Sequence, residues 1–319
     1  MTKETPSITR GWEFRELGRK PDWESLVWNP TQQLPALDPT DVLVKCRAAA
    51  LNFRDLSMVK GSYIHIPDDG TVPGGDGAGE IIAIGNHVVR FRPGDKVLTF
   101  TWQTGYFGGT HPGYGAEMAD VGVVVGGTFR EHGVFNQEGL VRMPHNLSFE
   151  EGAALNIAYV TAWNALMGST RPLRVGGTVL VQGTGGVSVA ALQLAVAAGA
   201  TVIATTSSPE KEAFLTSLGA FHVINYKQDN EWGATAKRIS PGGLGCTKVI
   251  EIGGARSFES LASGGEIEII GFLAYVEEIG EKSPTFFDTI LRSATIRGLQ
   301  GGSREQFDEV GKVVISIAT

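Results

Sequence analysis

The chain has 319 residues, of which 42% are hydrophobic and 19% are charged. This length allows two domains with full cores, and the composition excludes a disordered or collagen-like chain. The formal net charge of −7 argues against binding to nucleic acid or to an anionic membrane, because both require a basic surface. Two cysteines are too few for a disulfide scaffold or a four-cysteine zinc module. The polar first residues and the lack of an apolar run of about 18 residues predict a cytoplasmic protein without a signal peptide or membrane span.

The first half of the chain has the pattern of a β-rich domain. Short runs rich in apolar residues at 42–48, 79–84 and 96–101 are separated by turn residues, which is typical of strands joined by tight connections. Cys46 lies in the first run, where alternate positions are apolar. We therefore predict that it packs within a strand as a small hydrophobic residue.

The second half alternates short apolar strands with helices. Such a pattern predicts an α/β domain with a doubly wound parallel sheet and helices on both faces. The predicted strands are residues 178–182, 201–205, 221–225, 248–252 and 266–271, and the predicted helices are residues 187–198, 209–218 and 231–239.

A glycine-rich turn joins the first of these strands to the first helix. The strand before it, the helix after it and the second strand at residue 201 form the context that a dinucleotide-binding turn requires. In such a turn the backbone approaches a diphosphate, and free amides at the helix N-terminus bind the anion. Ser188 replaces the last glycine of the usual pattern and is small enough to keep the helix close to the strand. The predicted cofactor-binding residues here are Gly183, Thr184, Gly185, Gly186 and Val187.

The end of the second strand favours NADP(H) over NAD(H). An NAD site expects an Asp or Glu there to bind the ribose 2′-hydroxyl, but this chain has Ser207 and Ser208, with Lys211 close behind. Hydroxyl donors and a cation suit a 2′-phosphate. In the alternative interpretation, which is compatible with the first, the two serines only cap the following helix and Lys211 is solvated.

The motifs along the chain resemble the medium-chain dehydrogenase/reductase superfamily, and most closely its zinc-independent quinone oxidoreductase and enoyl reductase branch. The resemblance covers most of the chain. It rests on segments that include Leu51-Asn-Phe-Arg-Asp, Pro73-Gly-Gly-Asp-Gly-Ala-Gly-Glu, Phe91-Arg-Pro-Gly-Asp-Lys-Val and Val160-Thr-Ala-Trp.

This resemblance implies a GroES-like catalytic domain beside a Rossmann domain, with the active site between them. The expected catalytic domain comprises residues 1–157 and 288–319, and the expected Rossmann domain comprises residues 158–287. Tyr226 matches a position that contacts the adenosine end of NADPH in relatives, although it is as readily an ordinary tyrosine at a strand end. The further cofactor positions that we expect are Gly253, Gly271 and Phe272.

The resemblance also predicts that no metal is bound. The positions that hold catalytic zinc in the alcohol dehydrogenases of this family align with Asn52, Gly75 and Ile157, which cannot form a three-ligand zinc site. Asp76 retains the acidic character of its position, but one carboxylate does not hold the metal. Asp55 either orients a residue of the site or is simply a residue of a helix N-terminus, and we favour the second interpretation.

Without a metal to ionise an alcohol, the easier reaction is hydride transfer to an activated alkene (an enone or enoyl group) or to a quinone. The candidate catalytic residues are Asn52, which could bond to the nicotinamide ribose or to the substrate carbonyl, Tyr63, which could donate to an enolate oxygen, and Thr161, which matches a nicotinamide contact in the family. The expected substrate is a small apolar or conjugated carbonyl compound, and the expected assembly is a homodimer. The alternatives are a zinc-free alcohol or ketone dehydrogenase, and a cofactor-binding relative that has lost redox turnover.

Two segments depart from the family pattern. Only residues 255–264 separate the fourth and fifth strands of the second half, whereas a parallel crossover usually needs a dozen residues or more. We therefore expect a helix of one or two turns there, or unusual strand pairing. Residues 301–307 resemble the start of a family helix and residues 311–315 resemble the family's final strand, but almost nothing lies between them.

Overall fold

The computed structural model describes residues 6–19, 21–103, 119–253, 257–271 and 286–317. The chain divides into two compact units, Met1–Ile157 with Ser303–Thr319, and Ala158–Gly302. The division expected from the sequence differs from this one at residues 288–302, which it places in the first domain. Within the described ranges, no helix combines the length and the apolar character needed to cross a membrane.

The first unit is β-rich. A two-stranded sheet pairs β1 with β2, and a five-stranded antiparallel sheet has the order β6-β3-β4-β5-β7. A core cluster that includes Val42, Val44, Ile81 and Phe135 lies against this larger sheet. The elements are β1 Ile8–Phe14, β2 Leu26–Gln33, β3 Asp41–Ala50, α1 Phe53–Val59, β4 Asp76–Ile84, β5 Lys96–Thr99, β6 His132–Asn136, β7 Leu140–Arg142 and the later α8 Arg304–Ile317, together with short 3₁₀ turns at Trp23–Ser25 and Gln137–Gly139.

All three strands predicted in this half are present. Cys46 lies in β3 and packs partly buried against the core cluster, as predicted. Burial raises the pKa of its thiol to about 11, so the residue stays a neutral, weakly polar group at physiological pH.

The helix α2, Phe149–Met167, contains the boundary between the units and is kinked there. Asn156 has non-helical φ and ψ angles of −51° and −106°. Its side-chain amide donates to Thr99 Oγ1 at 3.2 Å, and the N–H of Ile157 donates to the two carboxylate oxygens of Asp76 at 3.3 and 3.4 Å. The Asp76 carboxylate thus takes a main-chain N–H of the helix, and a side chain inserted into the helical hydrogen-bond pattern is a recognised cause of kinks.

The second unit contains a six-stranded parallel sheet in the order β10-β9-β8-β11-β12-β13. This is the Rossmann order, with its topological switch point between β8 and β11. The predicted fold class is therefore confirmed. The elements are β8 Thr178–Gln182, α3 Gly186–Ala197, β9 Thr201–Thr206, α4 Pro209–Ser217, β10 His222–Asn225, α5 Trp232–Ile239, β11 Cys246–Glu251, α6 Ser257–Ser260, β12 Leu261–Ile269, α7 Phe286–Arg292 and β13 Thr295–Gly298, with a 3₁₀ turn at Pro241–Gly243.

The end of the chain differs from the sequence-based expectation in two ways. β13 pairs in parallel with β12, and this pairing is why residues 288–302 belong to the second unit. The final strand predicted at residues 311–315 is wrong, because α8 runs through it. The apolar residues Phe307, Val310, Val314 and Ile317 recur at helical spacing, and Phe307 and Val310 are buried. The short crossover, by contrast, contains the single helical turn α6, as predicted.

Candidate functional site

The turn between β8 and α3 presents main-chain N–H groups at the carboxyl edge of the parallel sheet. Gly183 has a φ of +73°, which glycine adopts without strain, and its N–H donates to the carbonyl of Thr205 at 2.9 Å. Gly185 is the N-cap residue of α3, and the first N–H groups of a helix have no partner within the helix. The Ser188 hydroxyl donates to the carbonyl of Gln182 at 2.6 Å and so holds the helix onto the strand. Gly183, Thr184, Gly185, Gly186 and Val187 thus form one turn with the helix N-terminus behind them.

Neither the backbone conformation nor the packing of the described residues requires a glycine at position 185. Its φ of −70° is open to every residue type, and a Cβ added there would meet no described atom within 4 Å. Neither backbone strain nor packing therefore explains a glycine at this position. An anion lying against the free N–H groups of α3 would need that space, so the observation points to a ligand.

The residues predicted for the adenosine end lie at two adjacent strand ends. Ser207 and Ser208 follow β9, Tyr226 follows β10, and the N–H of Tyr226 donates to the carbonyl of Thr206 at 3.0 Å. Ser208 is the N-cap residue of α4, but its side chain makes no capping hydrogen bond. Its hydroxyl instead bonds to Glu210; the backbone N–H of Glu210 and this hydroxyl together lower the pKa of that carboxyl group. Lys211 is exposed in the first turn of α4.

A polar network that the sequence analysis missed joins the ends of β8 and β11, on the two sides of the switch point. The amide nitrogen of Gln182 donates to Glu251 at 3.2 Å and to the Ser257 hydroxyl at 2.9 Å. Its amide oxygen accepts from the N–H of Ile252 at 3.0 Å and of Gly253 at 3.2 Å. The network fixes the backbone that leads into the glycine turn. The sequence feature that could have indicated this network is a polar residue at the end of each of two apolar strands, Gln182 in β8 and Glu251 in β11.

The remaining predicted cofactor residues are more dispersed. The N–H of Gly253 also donates to the Glu251 carboxylate at 2.7 Å, and the N–H of Gly271 donates to the Glu251 carbonyl at 3.4 Å, so both follow the strand ends next to the switch point. Thr161 is buried in α2, within the second unit. Phe272 lies outside the described residues.

In the first unit, Asn52 begins α1 and lies beside a buried carboxylate. Its N–H donates to the Asp55 carboxylate at 2.8 Å, so Asp55 stabilises the helix N-terminus as interpreted from the sequence. The Asn52 side chain hydrogen-bonds to Asp76, which is 2% exposed. Burial raises the pKa of Asp76 to about 7, although Asn52, the Arg54 charge and the N–H of Ile157 act to lower it.

Arg54 fills the space beside Gly75. Its Nη1 pairs with Asp120 Oδ1 at 2.5 Å and its Nη2 donates to the carbonyl of Val121 at 2.8 Å. A Cβ on residue 75 would overlap Nη2, so the guanidinium occupies the volume that a side chain there would need. Tyr63 is half-buried; it packs against the cluster of Phe14, Leu17, Met58, Val59 and Val123 and interacts electrostatically with Arg54.

Comparison with known proteins identifies the family to which the chain belongs. Residues 38–145 match the alcohol dehydrogenase GroES-like domain, and residues 186–316 match the zinc-binding dehydrogenase domain. A zinc-type alcohol dehydrogenase-like protein of Schizosaccharomyces pombe is 42% identical over 282 residues, which are 86% of this chain and 80% of that protein. The chain belongs to the medium-chain dehydrogenase/reductase family.

Two further relatives agree with this family, and the predicted family is thus confirmed. The quinone oxidoreductase of Rattus norvegicus is 28% identical over 88% of this chain and 78% of its own length. A solved structure of an NAD-dependent alcohol dehydrogenase has a TM-score of 0.82 and 30% identity, and the match covers 97% of this chain and 90% of that one. Members of this family bind a nicotinamide cofactor and act on small molecules.

The residues at the positions expected for catalytic zinc do not fit the ion. The Asn52 side chain is bonded to Asp76, the space beside Gly75 holds the Arg54 guanidinium, and Ile157 offers only an apolar side chain. In the described parts of the chain, no three His, Cys, Asp or Glu side chains are placed to hold a metal ion together.

Proposed function

We propose that this medium-chain oxidoreductase uses NADPH, without zinc, to transfer hydride to an activated alkene or a quinone. The observation that carries the proposal is Gly185: an added Cβ would meet no described atom within 4 Å, and this open space lies at the helix N-terminus, where a diphosphate would fit. The turn Gly183–Val187 would bind the diphosphate. Ser207, Lys211 and Tyr226 would bind the adenosine end and its 2′-phosphate.

The first unit supplies the groups for the substrate. When bound, the reduced nicotinamide provides a hydride for the β-carbon of an enone, and negative charge then develops on the carbonyl oxygen. The Asn52 amide N–H and the Tyr63 hydroxyl would donate hydrogen bonds to that oxygen. Donors already in place for a developing oxyanion lower the barrier most, because they need no reorganisation during the reaction. Thr161 would contact the nicotinamide from α2.

The substrate class is tested by following NADPH absorbance with a panel of enones, enoyl thioesters and quinones, and by following NADP⁺ reduction with a panel of alcohols. We expect turnover with the first panel. Turnover only with alcohols would favour the dehydrogenase alternative. Tight NADPH binding without turnover on either panel would indicate a member that has lost redox activity.

The cofactor preference has its own test in Ser207→Asp. A carboxylate at the end of β9 would repel the 2′-phosphate and accept a hydrogen bond from the ribose 2′-hydroxyl of NADH. We expect NADPH affinity to fall by about 10- to 100-fold, equivalent to about 1.4–2.7 kcal/mol, while NADH affinity rises. Calorimetric titration with both cofactors measures the change.

Ser217→Asp is the control, since it adds the same charge at the far end of α4 and should leave both affinities unchanged. If the wild-type protein bound NADH as tightly as NADPH, the proposed preference would be wrong. Such a result would agree with the NAD-dependent structural relative.

Two expectations from the sequence remain proposals of the same kind. We propose that the protein forms a homodimer, which sedimentation velocity tests directly, and that it resides in the cytoplasm, which fractionation tests.

A further inference from the structure

Three buried carboxylates of the first unit share one buried cation. Asp55, Asp76 and Asp120 are each almost completely buried, and all three interact electrostatically with Arg54. Burial lowers the pKa of the guanidinium, but the neighbouring carboxylates raise it by more, so the net direction is upward and Arg54 stays charged. The group at the centre of the cluster is therefore a permanent positive charge.

The position of Arg54 is fixed by contacts on several sides. Asp120 and the carbonyl of Val121 hold its two terminal nitrogens, and the lack of a side chain at Gly75 leaves the volume that the guanidinium needs. Arg54 lies only two residues after Asn52, in the first turn of α1. Arg54 interacts electrostatically with Asp76, the carboxylate to which the Asn52 side chain bonds.

Asp76 links Arg54 to the Asn52 amide. This carboxylate receives hydrogen bonds from the Asn52 side chain and from the N–H of Ile157. An asparagine amide has two N–H donors on one nitrogen. An ionised Asp76 can only accept, so it engages the amide NH₂ and leaves the second N–H for another acceptor. A protonated Asp76 can donate to the amide oxygen instead, and the amide then loses its defined orientation.

We propose that Arg54 is a positioning residue for the reaction: its charge favours the ionised form of Asp76, and ionised Asp76 orients the Asn52 amide toward the substrate's carbonyl oxygen. This inference rests on the proposed function, because it assigns Asn52 the substrate oxygen. It explains why a cation lies beside the candidate site although the residues do not fit zinc.

The expected pH dependence follows from the groups around Asp76. Burial and the negative charge of Asp55 raise its pKa, whereas Asn52, Arg54 and the N–H of Ile157 lower it, and the result is about 7. Further out, His65 interacts with Asp120 and Tyr63 interacts with Arg54. Activity should therefore fall on the acid side as Asp76 takes up a proton, and removing the Arg54 charge should move that fall to higher pH.

The experiment compares Arg54→Gln and Arg54→Lys with Arg304→Gln as a matched control. Arg304 pairs with Glu138 in the same unit, and its side chain is 17% exposed against 16% for Arg54. For each protein, kcat and KM for an enone are measured across the pH range, together with the NADPH dissociation constant. The pKa of Asp76 is followed separately by carboxyl-carbon NMR, with Asp76→Asn to assign the signal.

For Arg54→Gln we expect the acid limb of the kcat profile to rise by about one pH unit, kcat at pH 7 to fall by about 5-fold as a result, and NADPH affinity to stay the same. Arg54→Lys, which keeps the charge, should retain an acid limb near that of the wild type. Arg304→Gln should change neither the limb nor the NMR titration.

An acid limb that does not move in Arg54→Gln, or that moves equally in Arg304→Gln, would overturn the proposal. If Arg54→Gln does not fold, Arg54→Met takes its place with the same expected rise of the acid limb, and an acid limb that persists in Asp76→Asn would also overturn the proposal. If the wild type turns over no enone or quinone, the proposed function fails. The NMR titration then still decides whether Arg54 controls Asp76, because an Asp76 titration that is unchanged in Arg54→Gln would refute that control.

Discussion

Replacing Lys248 by methionine is expected to lower the free energy of unfolding by about 3–5 kcal/mol. Lys248 is 3% exposed, and its ammonium group lies between the equally buried carboxylates of Glu266 and Glu268. Nζ is 3.2 Å from Glu268 Oε1 and 3.1 Å from the Ser169 hydroxyl, and it also pairs closely with Glu266. Removing this cation would leave two carboxylates buried with too few partners, and that desolvation cost is larger than the loss of an exposed ion pair.

The cluster arises from the pleat of the parallel sheet. Lys248 of β11 is paired in register with Glu266 of β12, and Glu268 of β12 is paired with Arg297 of β13. Because side chains two apart on a strand share a face, these four charges meet on one side of the sheet. Arg297 continues the network to Asn164 of α2, donating to its side-chain oxygen at 3.0 Å. The same variant is therefore expected to loosen α2 against the sheet.

Urea unfolding followed by circular dichroism measures the effect, with Lys227→Met as the control because Lys227 is exposed in the same unit. The double variant Lys248→Met with Glu266→Met should regain part of the loss, since it removes one unpaired carboxylate. A loss no greater in Lys248→Met than in Lys227→Met would show that the cluster contributes nothing.

The size of this loss should depend on pH. Burial raises the pKa of Glu266, but Lys248 and Ser169 lower it by more, so the net direction in the folded protein is downward. A carboxyl group with a lowered folded pKa stabilises the protein above its unfolded pKa, about 4.3, and that contribution is lost as the pH falls. The difference between wild type and Lys248→Met should therefore be largest near pH 7 and smaller near pH 4.

Most of the second unit is predictable from local pattern. The strand predicted at residues 178–182 coincides with β8, because a short apolar run with turn residues on both sides leaves little freedom. β12 shows the limit: the strand was predicted to begin at residue 266, whereas it begins at Leu261 and includes Gly264 and Gly265. Gly264 has a φ of +75° at an irregularity in the pairing of β11 with β12, so the glycines permit a bulge and not a chain reversal.

The candidate site is only partly predictable, for a different reason. The glycine turn is local in sequence, and its residues could be named in advance. Arg54 pairs with Asp120, which is 66 residues further along the chain. The local sequence pattern around Arg54 does not indicate which distant loop supplies the carboxylate. The Lys248 cluster did leave a signal, since Glu266 and Glu268 stand in a strand whose two faces should both be buried. Charges there must find buried partners, although the sequence does not say which.

Gly185→Asp is expected to weaken NADPH binding by more than about 100-fold, equivalent to about 2.7 kcal/mol, without lowering the stability of the protein. The backbone at Gly185 is extended, and an added Cβ meets no described atom, so the substitution introduces no strain. Aspartate is also a favourable residue at a helix N-cap, and its carboxylate should bond to the free N–H groups of α3. The side chain would thus take the position of the diphosphate and repel it.

Calorimetric titration with NADPH and thermal unfolding of the cofactor-free protein separate the two effects. Ala234→Asp adds the same charge to the exposed part of α5 and should leave NADPH affinity unchanged. Gly185→Ala, with a Cβ but no charge, should fall between the wild type and Gly185→Asp. A stable Gly185→Asp protein that binds NADPH like the wild type would mean that the open space at Gly185 is not a diphosphate site. In that case the cofactor would have to be bound elsewhere or not at all.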